Sequence, residues 1–314
     1  MRIIYLNKEF PGDLAESVAT IGFFDGVHRG HQFLVSHVVA TARRENRQAM
    51  VITFDSHPRE VLHADFQPQL LTTLAERLRL LEHTGVDVVA VLHFDEAMAG
   101  LSAQAFMRDV LLGQLRVAKL FIGYDHRFGH NRAEGFADYV RYGRETGMEV
   151  VQSPAFELEG VNVSSTVCRH HVAEGEMEKA AHSLGYPYML EGTVTHGYRK
   201  GRELGFPTAN LALSDSRRLV PALGVYAVRV RIGQEDVWRM GMMNIGTRPT
   251  FGGSGLSLEV HVLSFSGNLY GQTLQVAFLS RVREERRFDS ADALARQLEK
   301  DKQMIIKLEN NERE

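Results

Sequence analysis

The sequence predicts an α/β domain, built on a parallel sheet with helices on both faces, followed by a small antiparallel β-barrel and a C-terminal helix. Three observations support this fold class. In the first half of the chain, short apolar runs alternate with amphipathic helical patterns, as they do in βαβ units. In the second half, short β-rich segments are separated by glycine-containing turns, which favours a barrel or sandwich. Near the end, apolar residues recur at helical spacing after Ser290, a suitable N-cap.

The first half of the chain contains five predicted strands and four predicted helices. The strands are Val18–Phe24, Ala49–Phe54, Val86–Phe94, Lys119–Gly123 and Glu149–Gln152. The helices are Gly30–Glu45, Leu74–Thr84, Ala103–Leu115 and Gly135–Thr146. Parallel strands need crossover connections, which are almost always right-handed. We therefore expect the helices to cover both faces of one parallel sheet.

The second half of the chain changes from helical to strand periodicity near Gly185–Pro187, after a helical pattern at Met177–Leu184. The predicted strands are Leu190–His196, Val225–Ile232, Val237–Asn244, Leu258–Phe265 and Leu274–Leu279. In the final helix, the apolar residues expected on one face are Leu294, Leu298, Ile305 and Leu308. We therefore predict two domains, 1–184 and 185–314.

Composition and charge narrow the functional classes. The chain has 314 residues, of which 36 are Lys or Arg and 39 are Asp or Glu, for a formal charge of −3. This balance does not suggest a nucleic-acid-binding protein or a polybasic membrane patch. One cysteine, Cys168, allows no internal disulfide, and neither a signal peptide nor a run of about 18 apolar residues is seen. We expect a cytoplasmic protein with no nucleic-acid or membrane partner, either a monomer or a weak homo-oligomer.

A glycine-rich segment, Ile21–His31, follows the first predicted strand and opens the first helix. In such a sheet, ligands bind beyond the carboxyl ends of the strands. A helix N-terminus there presents unpaired N–H groups and a partial positive charge, which suit phosphate. His28 and His31 stand one turn apart and could donate hydrogen bonds to phosphate oxygens as charge develops. The alternative is a tight turn with two surface histidines.

Two further segments fall where the same site would form. The hydroxyl residues Ser164–Thr166 precede a helical pattern and, with Arg169, could surround a departing pyrophosphate. The alternative for these hydroxyl groups is plain helix capping. The segment Gly123–Arg132 ends the fourth predicted strand, so its basic and aromatic residues would also lie at the carboxyl edge of the sheet. The alternative for this segment is a solvated loop.

The β-rich half carries a long polar motif, Gly192–Asn210. Its glycines and the basic run Arg199–Arg202 could surround a polyphosphate with N–H groups and positive charge. If the chain is extended over 208–210, Thr208 and Asn210 point to the same face. A hydroxyl and an amide oxygen there would suit Mg²⁺ that also holds ATP phosphates. The alternative is a loop with a polar edge and solvated arginines.

These motifs resemble those of two known families. The segments that resemble the HxGH nucleotidyltransferase superfamily, and more narrowly the adenylyltransferase module of bacterial bifunctional FAD synthetases, are 21–31, 53–62, 123–132 and 162–169. The run Gly201–Asn210, of the form G-R-x-L-G-F-P-T-A-N, is similar to the riboflavin kinase signature. The resemblance extends from about Val18 to Asp301 and implies a Rossmann-like nucleotidyltransferase fold for the first domain.

The resemblance implies a bifunctional enzyme of flavin cofactor synthesis. The C-terminal domain would phosphorylate riboflavin to FMN with ATP and Mg²⁺, and the N-terminal domain would adenylylate FMN to FAD with release of pyrophosphate. Glu259 would be the catalytic base for the riboflavin 5′-hydroxyl, while His28 and His31 would stabilise charge during adenylyl transfer. Thr208 and Asn210 would hold the metal ion.

The binding residues implied by the same resemblance form three sets. Nucleotide binding in the adenylyltransferase is assigned to Gly22, Phe24, Asp25, Gly26, His28, Gly30, His31, Asp125, Arg127, Ser164, Ser165, Thr166 and Arg169. Nucleotide binding in the kinase is assigned to Arg199, Lys200, Gly201, Arg202, Gly205, Phe206, Pro207, Thr208 and Asn210. Flavin binding is assigned to Phe54, Pro58 and Phe128 in the first domain and to Glu259, Arg283, Glu285 and Phe288 in the second.

Several positions depart from the family pattern without removing a residue assigned to chemistry. They are Phe23, His126, Cys168, Tyr186, Tyr198 and Ser264. Three alternatives remain at this stage. The first is a nucleotidyltransferase of the phosphopantetheine or cytidylyl type, which the β-rich half disfavours. The second is a bifunctional chain with one inactive site, which the intact histidines and Glu259 disfavour. The third alternative is a protein that senses flavin or binds RNA without catalysis, and the acidic balance disfavours RNA binding.

Overall fold

A computed structural model describes residues 1–6, 13–62, 65, 67–124, 126–130, 133–196, 205–250 and 253–311, with the backbone alone at 248–250, 253–254 and 311. Two compact units divide the chain, Met1–Ser165 and Thr166–Glu314. Each unit has its own sheet and its own hydrophobic core.

The first unit is built on a parallel sheet of six strands in the order β1-β4-β3-β2-β5-β6. The strands are β1 (Arg2–Leu6), β2 (Ser17–Ile21), β3 (Gln48–Phe54), β4 (Val88–Leu92), β5 (Val117–Ile122) and β6 (Glu149–Gln152). Five of them confirm the prediction. The prediction missed β1, because it is an edge strand in which only Ile4 is buried, so the run lacks a clear apolar period.

Helices cover both faces of this sheet. The helices are α1 (Arg29–Arg44), α2 (Pro58–Leu62), α3 (Leu74–Glu82), α4 (Glu96–Ala99), α5 (Ala103–Ala105, continued by a π-helical segment Phe106–Leu112) and α6 (Phe136–Thr146). Alternate residues of β3 show the two layers. Met50 and Ile52 pack on the side of α5 and α6, whereas Ala49 and Val51 pack on the side of α1 and α3. A small antiparallel hairpin, β7 (Glu157–Leu158) and β8 (Val161–Asn162), follows the sheet.

The second unit contains a closed antiparallel barrel in the order β10-β13-β12-β11-β14-β9. Its strands are β9 (Met189–Thr195), β10 (Ala209–Leu213), β11 (Gly224–Ile232), β12 (Trp238–Thr250), β13 (Gly253–Val262) and β14 (Thr273–Arg283). The C-terminal helix α9 (Ala291–Asn311) buries Ile305 against Val225, Ala227 and Met242 on the outer wall of the barrel. Ser290 Oγ accepts a hydrogen bond from Ala293 N at 3.2 Å, which confirms the predicted N-cap.

Helices α7 (Ser165–Glu174) and α8 (Met177–Leu184) lie almost entirely in the second unit. Gly175, which links them, lies against the side chains of Tyr226 and Arg281, and α8 packs on β14. The compact second unit therefore begins before the predicted domain boundary at 184/185, because two helices are attached to the barrel wall. The boundary between the two activities stays a prediction.

Candidate active sites

The first candidate site begins where β2 ends. The chain leaves β2 through residues 22–28, called the 22–28 loop below, which include a short 3-10 turn at Asp25–Val27. Phe24, Gly26 and Val27 have φ angles of 55°, 77° and 35°. A non-glycine residue in this left-handed region costs about 1–3 kcal/mol, so the surroundings must hold the loop in place. His28 then adopts an extended conformation and serves as the N-cap of α1, where its Nδ1 accepts a hydrogen bond from His31 N at 3.3 Å.

His28 and His31, called the histidine pair below, stack at the start of α1. Their ring centroids are 3.6 Å apart with an interplanar angle of 21°. The Phe24 ring meets His31 edge-on at 5.0 Å. His28 is 5% exposed, which differs from the solvated surface turn of the alternative interpretation. Two imidazoles are thus held together at a helix N-terminus, where N–H groups favour an anion.

Hydrogen bonds from other parts of the unit anchor the 22–28 loop. The Asp25 carboxylate accepts N–H bonds from Leu71 and Thr72 at 3.0 and 2.9 Å, and also a bond from Thr72 Oγ1 at 3.1 Å. Gly26 N donates to Thr72 Oγ1 at 3.0 Å. Asp25 is 2% exposed, so its carboxylate contributes to the site by holding the loop.

The segment 163–165 lies against the same loop. Ser165 Oγ donates to the Asp25 carbonyl oxygen at 3.0 Å. A Cβ atom at Gly30 would lie 3.0 Å from the Val163 carbonyl oxygen and 3.2 Å from the His28 ring, so glycine permits this close approach without displacing either neighbour. The structure therefore brings the motifs around 21–31 and 163–165 together, as the sheet rule predicts.

The residues predicted to bind flavin in the first domain include two aromatic rings that already pack against other rings. Phe54 is 8% exposed and packs its ring in the core against Phe94, and Phe128 stacks on Tyr139 at 4.3 Å. Their roles in flavin stacking stay predictions, because core packing already uses these rings. Pro58 opens α2 and is partly exposed.

The other residues predicted for the first site are spread over several segments of the chain. Arg127 is exposed, and Gly22 lies directly after β2. Thr166 and Arg169 lie on α7. Asp125 lies outside the residues that the structure describes, as do Arg199, Lys200, Gly201 and Arg202 of the kinase motif.

A histidine–carboxylate pair, which sequence reasoning missed, lies at the ends of β3 and β4. His93 Nδ1 is 2.6 Å from Asp55 Oδ2, and Phe94 N donates to the same carboxylate at 3.3 Å. The hydrogen bond and charge of Asp55 raise the pKa of His93. Burial opposes ionisation of Asp55, but its bonds with His93 and Phe94 outweigh burial and lower the pKa of Asp55.

The second candidate site lies on the barrel wall. Glu259 on β13 is the cross-strand partner of Asn210 on β10, so the two side chains share one face. Thr208 Oγ1 donates to Glu259 Oε2 at 3.2 Å, and Ser257 Oγ donates to Glu259 Oε1 at 2.9 Å. The structure therefore brings together the three side chains to which the sequence assigned metal binding and base catalysis.

The aligned positions of Asn210 and Glu259, called the barrel row below, continue onto β12, where the sequence analysis names no site residue. Asn244 is the cross-strand partner of Glu259, and Gly246 is two residues further on the same face. A Cβ atom at Gly246 would collide with the Glu285 carboxylate and lie 3.1 Å from Asn244 Nδ2. Glu285, a predicted flavin-binding residue, is thereby placed beside the row that contains Glu259.

Arg283 and Phe288 lie at the junction of the barrel and α9. Arg283 Nε lies 2.9 Å from Asp301 Oδ2, and Asp301 is fully buried. The guanidinium carbons of Arg283 and Arg286 are 5.6 and 4.8 Å from the Phe288 ring centroid. These contacts hold the segment after β14, which carries Glu285.

A cavity of about 540 Å³ opens next to Thr208. It is lined by Val194, Pro207, Thr208, Ala209, Val260, Val262 and the segment 265–270. Phe206 is 8% exposed and packs beside it against the His261 ring, while Gly205 takes a φ of 80° in the turn before it. A largely apolar pocket with a few polar groups at one end is typical of a small-molecule site.

Two negative findings apply to the described part of the chain. Within it, no helix is long and apolar enough to cross a membrane. Among the same residues, His, Cys, Asp and Glu form no cluster of three or more that could hold a metal ion.

Comparison with known proteins finds two family matches that follow one another along the chain. The family model described as FAD synthetase matches residues 11–167, and the model described as riboflavin kinase matches residues 184–308. A bifunctional riboflavin kinase/FMN adenylyltransferase of Escherichia coli K12 is 42% identical over 284 residues, which cover 90% of each chain. The protein of the same description from Bacillus subtilis is 34% identical and covers 98% of this chain and 96% of its own.

A solved structure shares the architecture of nearly the whole chain. A Streptococcus pneumoniae protein described as a macrolide-efflux protein is 32% identical, with a TM-score of 0.87, and covers 97% of this chain and 99% of its own. The two family matches follow one another along the sequence, and the relatives whose descriptions combine both activities are matched over 90% or more of their length. This chain therefore belongs to the bifunctional riboflavin kinase/FMN adenylyltransferases, which phosphorylate riboflavin to FMN and adenylylate FMN to FAD.

Proposed function

We propose that Glu259, Thr208 and Asn210 carry out riboflavin phosphorylation and that the histidine pair carries out adenylyl transfer to FMN. The observation that carries this proposal is the clustering of residues from distant motifs. Thr208 and Glu259 are hydrogen-bonded across 51 positions of sequence, and Ser165 reaches the 22–28 loop across 140 positions. The product of the barrel site is the substrate of the sheet site, so the two reactions form a sequence.

In the barrel site, the riboflavin 5′-hydroxyl would lose its proton to the Glu259 carboxylate as its oxygen attacks the γ-phosphorus of ATP. The bond from the γ-phosphorus to the bridging oxygen breaks, and ADP leaves. General-base assistance of this kind is worth about 10²–10⁴-fold in rate. Ser257 and Thr208 donate to Glu259, which orients the carboxylate for this role.

The oxygen donors near Glu259 fit a magnesium ion. The Thr208 hydroxyl and the Asn210 amide oxygen are hard ligands, and magnesium usually completes its shell with substrate phosphates and water. A bound ion would neutralise charge on the transferring phosphoryl group. Asn210 and Glu259 are cross-strand partners, so the metal ligands and the base would face the same substrate.

In the sheet site, a phosphate oxygen of FMN would attack the α-phosphorus of a second ATP. The bond from the α-phosphorus to the oxygen that bridges to the β-phosphorus breaks, and pyrophosphate leaves. The nucleophile is already anionic, so no strong base is required. Imidazole N–H groups of the histidine pair would donate to phosphate oxygens, and Ser164, Ser165 and Arg169 would hold the departing pyrophosphate.

We also propose a setting for these reactions. The enzyme acts in the cytoplasm, as a monomer or weak homo-oligomer, on small molecules and without nucleic acid. The single cysteine and the formal charge of −3 support this setting.

One assay with paired variants tests the residue assignments. The full chain is incubated with riboflavin, ATP and Mg²⁺, and the flavins are resolved by chromatography over time. We expect His31→Ala to accumulate FMN and Glu259→Gln to make FAD only from supplied FMN. Each variant is its own control, since the other activity stays at the level of the unsubstituted chain. His83→Ala and Glu235→Gln, at exposed positions outside both sites, should retain both activities.

The same assay distinguishes the alternatives. A flavin sensor would form neither product, and a chain with one inactive site would stop at FMN or require supplied FMN. Normal FAD synthesis by His31→Ala would show that the histidine pair is not the adenylyltransferase centre. Normal phosphorylation by Glu259→Gln would remove Glu259 from the role of base.

A further inference from the structure

Arg77 is a buried cation behind the first site. It lies on α3 and is 1% exposed, a burial that arginine tolerates only when it is paired. Its Nη1 donates to the Phe23 carbonyl oxygen and, at 3.2 Å, to Thr53 Oγ1. Its Nη2 donates to the Phe54 carbonyl oxygen at 3.0 Å. One guanidinium therefore joins two neighbouring strand ends with the forked geometry that arginine provides.

The carbonyl groups of Phe23 and Phe54 lie at the beginning of the two loops that follow β2 and β3. Phe23 is the second residue after β2, and the chain beyond it leads to the histidine pair. Phe54 is the last residue of β3, and the chain beyond it leads to Pro58. Thr53 Oγ1 also donates to the Phe23 carbonyl oxygen at 3.1 Å. The separation of these loops thus depends on groups that meet at Arg77.

The Phe23 side chain is held by the same guanidinium. The Arg77 guanidinium carbon lies 4.2 Å from the Phe23 ring centroid, within the range of a cation–π contact. The Phe23 ring also meets the His57 ring edge-on, with the two centroids 4.7 Å apart. Both the backbone and the side chain of Phe23 are therefore fixed from within the unit.

The segment that carries Arg77 also anchors the loop at a second point. Thr72 and Leu71, just before α3, hold Asp25 and Gly26 through the hydrogen bonds described above. Burial lowers the pKa of Arg77 to about 10 despite the attraction of Asp25 and Asp55, so the group is still a cation at neutral pH. Residues 71–77 thus hold the left-handed stretch before the histidine pair at two points, Phe23 and Asp25–Gly26.

We infer that Arg77 is a positioning residue for adenylyl transfer, which sets the histidine pair in register with the loop after β3 without contacting substrate. The inference rests on the proposed role of the histidine pair. It predicts a loss of rate rather than of binding, because a displaced pair would still leave most nucleotide contacts in place.

The test compares Arg77→Met with Arg77→Lys in the full chain. We expect Arg77→Met to lower kcat for adenylyl transfer about 10–100-fold while KM for ATP and FMN changes less than about threefold. Arg77→Lys should recover part of kcat, since an ammonium can reach one carbonyl oxygen but cannot fork to both. Riboflavin kinase activity of the same molecules should be unchanged.

Arg43→Met is the matched control. Like Arg77, Arg43 donates hydrogen bonds to oxygen atoms of another segment, here the Asp87 carboxylate and the Gly85 carbonyl oxygen, but it lies near the C-terminal end of α1 with an exposed side chain. We expect Arg43→Met to keep both kcat and KM for adenylyl transfer.

Each other outcome is decisive. A folded Arg77→Met with normal kcat, or with raised KM and unchanged kcat, would overturn the inference. If Arg77→Met loses the folded first unit by circular dichroism, Arg77→Lys decides by the same comparison of kcat with KM. Loss of folding in both variants would make Arg77 a folding residue and would also overturn it. If His31→Ala is impaired while the Arg77 variants are not, the inference alone fails; if His31→Ala is normal, the proposed function fails.

Discussion

The two sites are built from different kinds of backbone. In the first unit, the histidine pair follows a loop with left-handed residues, and side chains far away in sequence hold that loop. In the barrel, Asn210, Glu259 and Asn244 occupy paired positions on three neighbouring strands. Strand pleat and register alone place those three on one face.

The two kinds of site depend to different extents on contacts with the rest of their unit. A site on paired strands inherits its geometry from main-chain hydrogen bonds that the fold forms in any case. A site on a strained loop needs extra anchors, because non-glycine residues in the left-handed region are unfavourable unless other contacts hold them there. We therefore expect the first site to be sensitive to substitutions that touch no substrate, and the second to be sensitive mainly within its row.

The largest effect should come from Gly30→Ala. A methyl group there meets the Val163 carbonyl oxygen and the His28 ring, so it would push apart two parts of the first site. We expect adenylyl transfer to fall about 10–100-fold, although alanine favours a helix over glycine by about 1 kcal/mol. Measurement of kcat for both activities checks this. Gly135→Ala, where the new methyl has no neighbour within 4 Å, is the control. A fully active Gly30→Ala would show that the loop tolerates displacement.

A smaller effect is expected from Gly246→Ala in the barrel row. The new methyl would displace the Glu285 carboxylate, which is the end of a side chain and can move. We expect riboflavin phosphorylation to fall about 10-fold through misplacement of neighbouring groups. Adenylyl transfer from supplied FMN is the internal control. Kinase activity within twofold of normal would place Glu285 outside the working site.

Thr72→Val tests the loop anchors with a change of similar shape. It removes the hydroxyl that accepts from Gly26 N and donates to Asp25, which should lower stability by about 1–2 kcal/mol. We expect adenylyl transfer to fall by about threefold to tenfold, as the loop loses one of its anchors. Thr146→Val, which loses a hydroxyl bond to the Tyr142 carbonyl oxygen within α6, should lose some stability but no activity. Equal adenylyl transfer by the two variants would contradict the expectation that the first site depends on the anchors of its loop.

The smallest effect concerns the Asp55–His93 pair. A histidine whose pKa is raised on folding adds stability that is complete below its ordinary pKa and is lost as pH rises through the raised value. A carboxylate whose pKa is lowered adds stability above its ordinary pKa that is lost as pH falls. Asp55→Asn should lower the pKa of His93 toward its ordinary value and remove this dependence.

An NMR titration of the His93 ring measures the expected change. The control is Asp109→Asn, which breaks a surface pair with Arg108 and should leave His93 unaffected. An unchanged His93 titration in Asp55→Asn would show that the contact does not persist in solution.

Sequence patterns predicted the buried strands of both units but missed two strands of mixed polarity. The strands β3 and β4 are buried on both faces, so their apolar runs are unambiguous. The prediction missed β1 and β10, because short strands of mixed polarity depend on pairing with distant partners. The flavin-binding roles of Phe54 and Phe128 stay predictions, and both rings pack against neighbouring aromatic rings of the first unit.

The local motifs, through the family resemblance that they carry, were enough to predict the two activities. Glycine spacing, histidine spacing and the alternation of Thr208 with Asn210 are short-range features, and short-range features can be read along a chain. The residues that anchor the loop of the first site could not be predicted from local motifs, since Thr72 and Arg77 lie 46 and 54 positions from their partners in that loop. Only folding brings a buried cation to two strand ends, because its desolvation is tolerated only where several carbonyl and hydroxyl oxygens converge.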